Sequence, residues 1–214
     1  MSKTEIYLIR HGQSEGNLHS LFLGHTDMDI TALGHEQAER TARYLENIHA
    51  DVIYSSDLLR AYHTACHTAS LKGMEVIKRS DLREIFAGKW EGMSFADIAE
   101  EYKEDFALWR ENVGFARCTD GESVLELQKR FTEAVERIVK ENEGKTVFIF
   151  SHATTVRTAS AKWMGISPER LGELPWPTNA SVTHARYENG EFSVLEYSKD
   201  SFLADISTML PTDV

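Results

Sequence analysis

Apolar and polar positions along the chain alternate between two periods, short runs that read as strands and longer stretches that read as helices. Strands are predicted at Glu5–Ile9, Asp51–Tyr54, Met74–Lys78 and Thr146–Phe150, the last being the β-rich string TVFIF. A helix is predicted from Thr31, where Ala32, Gln37, Ala38, Ala42 and Leu45 recur near helical spacing. Others are predicted at Leu58–Ser70, Ser94–Trp109 and Glu122–Glu141, with one more carrying Val156 to Met164. In the helix over 122–141, Leu125, Phe131, Val135, Ile138 and Val139 form the expected buried stripe. Near the end, Ser181–Tyr187 and Glu191–Tyr197 flank Asn189-Gly190, a hairpin signal. Alternating β and α elements predict one α/β domain over residues 1–214, a three-layer sandwich whose mostly parallel central sheet has an antiparallel edge.

Composition narrows the function classes. Asp plus Glu number 34 against 23 Lys plus Arg, a formal charge of -11, so a nucleic acid backbone is a poor partner. Any anionic ligand must then be drawn by a local cluster of cations. No apolar stretch reaches membrane-spanning length, and the start of the chain lacks a secretory core, so no membrane partner is expected. The two cysteines, Cys66 and Cys118, form no CxxC and fit a reducing cytoplasm. A homodimer is permitted by the sequence but not required by it.

In a parallel sheet, ligands bind beyond the C-terminal strand ends. Residues following the strand-like runs are Arg10, His11, Gly12 and Asn17, then Asp57 and Arg60, then Arg83 and Glu84, then Ser151 and His152. Arginine forks match phosphate geometry, and the helix start after His152 adds backbone N–H donors. A histidine can attack phosphorus, and a carboxyl such as Glu84 can protonate the departing alkoxide and later activate water. Gly12 is expected to keep the backbone close to the ligand.

The strings LIRHGQSEGN, GHTDMDITALGHEQA, SSDLLRAYHTA, LREIFAGKWEG, GESVLELQKR and FSHATTVR, in this order, resemble the histidine phosphatase superfamily, the family of cofactor-dependent phosphoglycerate mutases. The resemblance runs from about Ile6 to Ser181. It implies a phosphoglycerate mutase-like fold and His11 as the phosphorylated nucleophile. It further implies Arg10, Arg60 and His152 around the phosphate, Asn17 as an additional oxygen contact, and Glu84 as proton donor. Where the family pattern has Ser/Thr-His-Gly, this chain has Ser151-His152-Ala153, and the backbone N–H of Ala153 keeps its place in that pattern. The implied activity is hydrolysis of a small phosphorylated metabolite without metal or other cofactor. A phosphoglycerate mutase and a non-catalytic phospho-ligand regulator are the rival readings.

Other residues have plainer readings. His63 and His67 stand at i and i+4, a metal-ligand spacing, but HTACH lacks the glutamate of HExxH and no third ligand is apparent. Arg60 can pair with Asp57, and Arg83 can balance Glu84. Trp90, Tyr102, Phe106, Trp109 and Phe115 are mostly core, with one or two expected at the pocket mouth. Glu15, Phe22 and His25 are expected to border it. Asp97–Asp105 reads as a solvated helix face.

Overall fold

The computed structural model describes residues 3–210. In chain order the elements are β1 (Thr4–Arg10), α1 (Glu15–Leu18), β2 (Leu21–Phe22), α2 (Ala32–Leu45), β3 (Val52–Ser56), α3 (Leu59–Lys72) and β4 (Val76–Arg79). There follow β5 (Met93–Ser94), α4 (Phe95–Glu101), α5 (Lys103–Glu111), α6 (Val124–Glu141), β6 (Thr146–Ser151), α7 (Ala153–Trp163), β7 (Val182–Glu188) and β8 (Glu191–Lys199). The main sheet runs β4-β3-β6-β1-β7-β8. Its first four strands are parallel, and β7 and β8 add the antiparallel edge.

Successive side chains of β6 point to opposite faces, as the strand pleat requires. Val147 and Ile149 pack with Phe131 and Val135 of α6 and Val156 of α7, whereas Phe148 and Phe150 pack with Leu45 of α2 and Ala65 of α3. Helices therefore cover both faces, which gives the expected three layers. A separate cluster built on Phe22, Trp90, Ile98, Phe106 and Trp109 holds α4 and α5.

Two sequence expectations change. The helix read over 94–109 is two, because Tyr102 leaves helical geometry with φ -121 and ψ 48. The stripe of α6 is set by a reciprocal cap: Ser123 Oγ accepts from Glu126 N, and Glu126 Oε2 accepts from Ser123 N. That start buries Val124 and Leu127 and leaves Leu125 41% exposed, outside the stripe.

The strand order brings the chemistry together. β6 lies between β3 and β1, with Arg10 opposite Ser151 in parallel register. His11 N donates to Ser151 O at 3.0 Å, so the first residues beyond these two tips are neighbours. Arg60, in the first turn of α3, comes from the strand on the far side of β6.

Gly12 is also needed for packing. A Cβ there would lie 2.5 Å from the Gly34 carbonyl oxygen in α2, and a Cβ on Gly34 would lie 2.2 Å from Gln13 O. Neither glycine has positive φ, so close approach of backbones is the constraint.

Candidate active site

Arg10, His11, Asn17, Arg60, Glu84 and Ala153 line one pocket, a void of about 520 Å³ with open solvent included. His11 Nδ1 sits 2.7 Å from Gly12 O, which can only accept, so Nδ1 carries the proton and the Nε2 lone pair is left for chemistry. Its backbone is fixed as firmly as its ring: Ala180 N and Asn179 Nδ2 both donate to His11 O. Ala180 holds that contact from the left-handed region, at φ 58.

The cations are buried and oriented by carbonyls. Arg10 Nη1 donates to Pro177 O at 2.6 Å, while its Nε is buried and, among the described residues, has no partner. Arg60 Nη1 and Nη2 donate to Thr26 O and Gly24 O, and its Nε to His152 Nδ1 at 3.2 Å. Burial brings each guanidinium down to about 10, against the pull of Glu84, so both stay charged at neutral pH. Asn17 Oδ1 accepts from Ser14 N and Asn179 Nδ2, which leaves its NH₂ available to a ligand. The Glu84 carboxylate is clamped by Ile85 N on one oxygen and Thr154 N, in the first turn of α7, on the other.

His152 stands differently from expectation. Its ring lies 5.3 Å from that of His11, centre to centre, but it is fully buried and contributes no pocket surface. Because Arg60 Nε can only donate, His152 Nδ1 is the acceptor and Nε2–H donates to Ser56 Oγ at 2.8 Å. Its visible work is to fix Arg60 from behind.

A profile of the histidine phosphatase superfamily (branch 1) matches residues 6–200. The chain belongs to that superfamily. It is 35% identical to phosphoserine phosphatase 1 of Hydrogenobacter thermophilus over 76% of this chain and 77% of that one. It is 28% identical to a 2,3-bisphosphoglycerate-dependent phosphoglycerate mutase of Cytophaga hutchinsonii, over 96% and 99%. The solved structure of Bacillus stearothermophilus YhfR superposes with a TM-score of 0.90 at 29% identity, covering 94% of this chain and 99% of that one. The resemblance read from the motif strings therefore holds, in family and in fold.

Several smaller expectations for this histidine phosphatase change. Arg83 donates through Nε and Nη2 to the two oxygens of Asp57, at 2.7 and 2.6 Å, so Asp57 is engaged there rather than by Arg60, and the Arg83 fork goes to Asp57 rather than to Glu84. Of the aromatic series, Trp109 lines the pocket, Trp90 and Phe106 are core, and Phe115 is 43% exposed. Phe22 does border the pocket; Glu15 is exposed and His25 binds the Glu84 carbonyl from outside it. His63 bonds the Asp29 carboxylate and His67 meets His35; among the described residues no group of three side chains is arranged to hold a metal. No described helix is long and apolar enough to cross a membrane. Sequence reasoning missed Ser56, Thr154, Asn179 and Trp176.

His11 and His152 are both held well below the usual histidine range, by burial first and then by the Arg60 charge. This has a sign. Below about pH 6.5 the unfolded chain binds protons that the folded chain refuses, so stability is full above that pH and falls as the pH drops. Each histidine contributes a slope of at most about 1.4 kcal/mol per pH unit in this window. Urea midpoints measured from pH 7.5 down to 5.5 should fall more steeply for the wild type than for His11→Asn. Parallel profiles would mean that His11 titrates normally in the folded chain.

Proposed function

We propose that the protein is a single-domain phosphatase that hydrolyses small phosphate monoesters through a phosphohistidine on His11, with no metal. The observation that carries this reading is the His11 Nε2 lone pair facing a pocket whose cations are Arg10, with its unpartnered buried Nε, and Arg60. Nε2 attacks phosphorus in line, the ester oxygen departs, and Glu84 hands it a proton. Arg10, Arg60, the Asn17 NH₂ and the Ala153 N–H hold the equatorial oxygens, and their fixed dipoles and charges need little reorganisation as the transition state forms. Glu84 then takes a proton from water, which attacks the phosphohistidine and releases inorganic phosphate. His152 keeps Arg60 in place throughout. Pairing of β1 with both β6 and β7 ties the two ends of the chain into one sheet and supports a single working unit. The unbridged thiols of Cys66 and buried Cys118 support a cytoplasmic location.

The rival mutase would need to retain a second anionic group while its phosphohistidine waits, shielded from water. Among the described residues, Arg10 and Arg60 are the only lysine or arginine residues lining the pocket, and both are assigned to the phosphoryl end. Lys103 and Arg110 of α5 are exposed, among the acidic residues Glu101, Glu104 and Asp105. Given 3-phosphoglycerate, the enzyme should yield free phosphate and glycerate. Isomerisation to 2-phosphoglycerate outrunning phosphate release in one reaction mixture would give the assignment to the mutase. No hydrolysis of p-nitrophenyl phosphate at all would leave only a phospho-ligand regulator.

A further inference from the structure

The pocket has two chemically distinct ends. Among the described residues, every titratable side chain in its lining (Arg10, His11, Arg60 and Glu84) belongs to the phosphoryl end. The remaining wall is made chiefly of Leu21, Phe22, Phe95, Trp109, Trp176 and Leu210. Neither a carboxylate nor an ammonium on the leaving alcohol would meet an opposite charge among these six residues. An uncharged, apolar group would find a surface that water wets poorly.

Trp176 is the most deliberately placed of these residues. It lies in an irregular segment, Leu174-Pro-Trp-Pro177, where a proline on each side restricts the backbone. Side chains from three separate elements secure the segment's carbonyls. Arg157 Nε donates to Leu174 O, Tyr197 Oη to Pro175 O, and Arg10 Nη1 to Pro177 O. The Arg157 guanidinium also lies 4.0 Å from the Trp176 ring centre, and the Trp109 ring runs within 19° of parallel to it at 6.1 Å. Arg157 is itself buried, and its Nη2 is tied to Leu171 O. An indole in a loop is thus braced by a buried cation, and the braced residue is part of the pocket wall. The arginine that clamps phosphate holds the other end of the same segment.

We propose that the preferred substrates are phosphate monoesters of uncharged apolar alcohols bearing a flat ring, and that Trp176 is the residue that selects them, with Arg157 as its positioning residue. This rests on the phosphatase reading of the site. The test compares alcohols of like basicity, so that leaving-group chemistry does not enter: phenethyl phosphate, ethyl phosphate, O-phosphoserine and 3-phosphoglycerate, each by kcat/KM. Phenethyl phosphate should exceed each of the others by about tenfold or more, the scale expected for burying and stacking one ring. In Trp176→Ala the phenethyl-to-ethyl ratio should collapse towards unity, and Trp176→Phe should restore part of it. Arg157→Gln should raise KM for phenethyl phosphate far more than it lowers kcat. A phosphoserine or phosphoglycerate preference, or a ratio that Trp176→Ala leaves intact, would overturn the proposal while leaving the phosphatase reading in place. Failure to hydrolyse any of the four, or p-nitrophenyl phosphate, would instead remove the reading on which it rests.

Discussion

His11→Ala should reduce turnover of every phosphate monoester by about 10³-fold or more, the scale of loss when a covalent nucleophile is removed. It should also abolish acid-labile labelling of the protein by substrate phosphate. Both losses follow from one atom. The Nδ1 proton is committed to Gly12 O, so Nε2 is the only basic nitrogen that the ring can offer, and burial beside Arg60 and Arg10 keeps it unprotonated at neutral pH. No neighbour can take over, since His152 has one ring nitrogen accepting from Arg60 and the other donating to Ser56. The variant should still fold, because the backbone of residue 11 is held through its N–H by Ser151 and through its carbonyl by Ala180 and Asn179. Near-normal activity in a folded His11→Ala protein would end the proposed mechanism.

Glu84→Gln should separate acid catalysis from architecture. General acid assistance is typically worth ~10²–10⁴-fold, and it matters most when the leaving oxygen is strongly basic. On an alkyl phosphate such as phenethyl phosphate, kcat/KM should therefore fall by about that factor. On p-nitrophenyl phosphate, whose phenolate departs unaided, the fall should be much smaller. kcat/KM reports events up to formation of the phosphoenzyme, so the later role of Glu84 with water does not enter. A structural effect is expected as well. Ile85 N and Thr154 N each donate to one carboxylate oxygen, and the glutamine amide presents one of them with another donor. That mismatch should lower stability by about 1–3 kcal/mol and affect both substrates alike. Equal losses on the two substrates would make Glu84 a structural residue.

The parts of this site that follow parallel strands are legible in the sequence. Apolar runs ending in Arg10-His11, in the segment before Arg60, and in Ser151-His152 announce strand tips, and parallel tips lie on one edge of a sheet. Asn179 escaped the same logic because β7 runs antiparallel to β1. Its start, not its end, reaches the site, so the residues that matter precede the strand. Trp176 escapes for a related reason: it lies in an irregular segment with no periodicity to place it, and donors from Arg157, Tyr197 and Arg10 hold that segment's carbonyls. The division of α4 from α5 was illegible because the break at Tyr102 occurs without a glycine or proline to mark it. Pairing of charges is not legible where sequence neighbours compete with spatial ones. Asp57 lies near Arg60 in the chain, yet the sheet brings it the fork of Arg83.

The contact between Gly12 and Gly34 has a consequence for how this chain can change. Most overpacked contacts can be relieved by trimming the partner, but here the nearest atom struck is in each case a backbone carbonyl oxygen, of Gly34 for a methyl on Gly12 and of Gln13 for one on Gly34. An added methyl group on either has no compensating substitution opposite it, since what it strikes is a carbonyl oxygen. The only relief is to move the start of α2 away from the loop after β1. That loop begins at the nucleophile, whose ring is bonded to the Gly12 carbonyl. Relief of the clash would therefore shift the imidazole and its tautomer together. The two positions are therefore coupled: a side chain at either one requires the support of the His11 ring to be rebuilt as well.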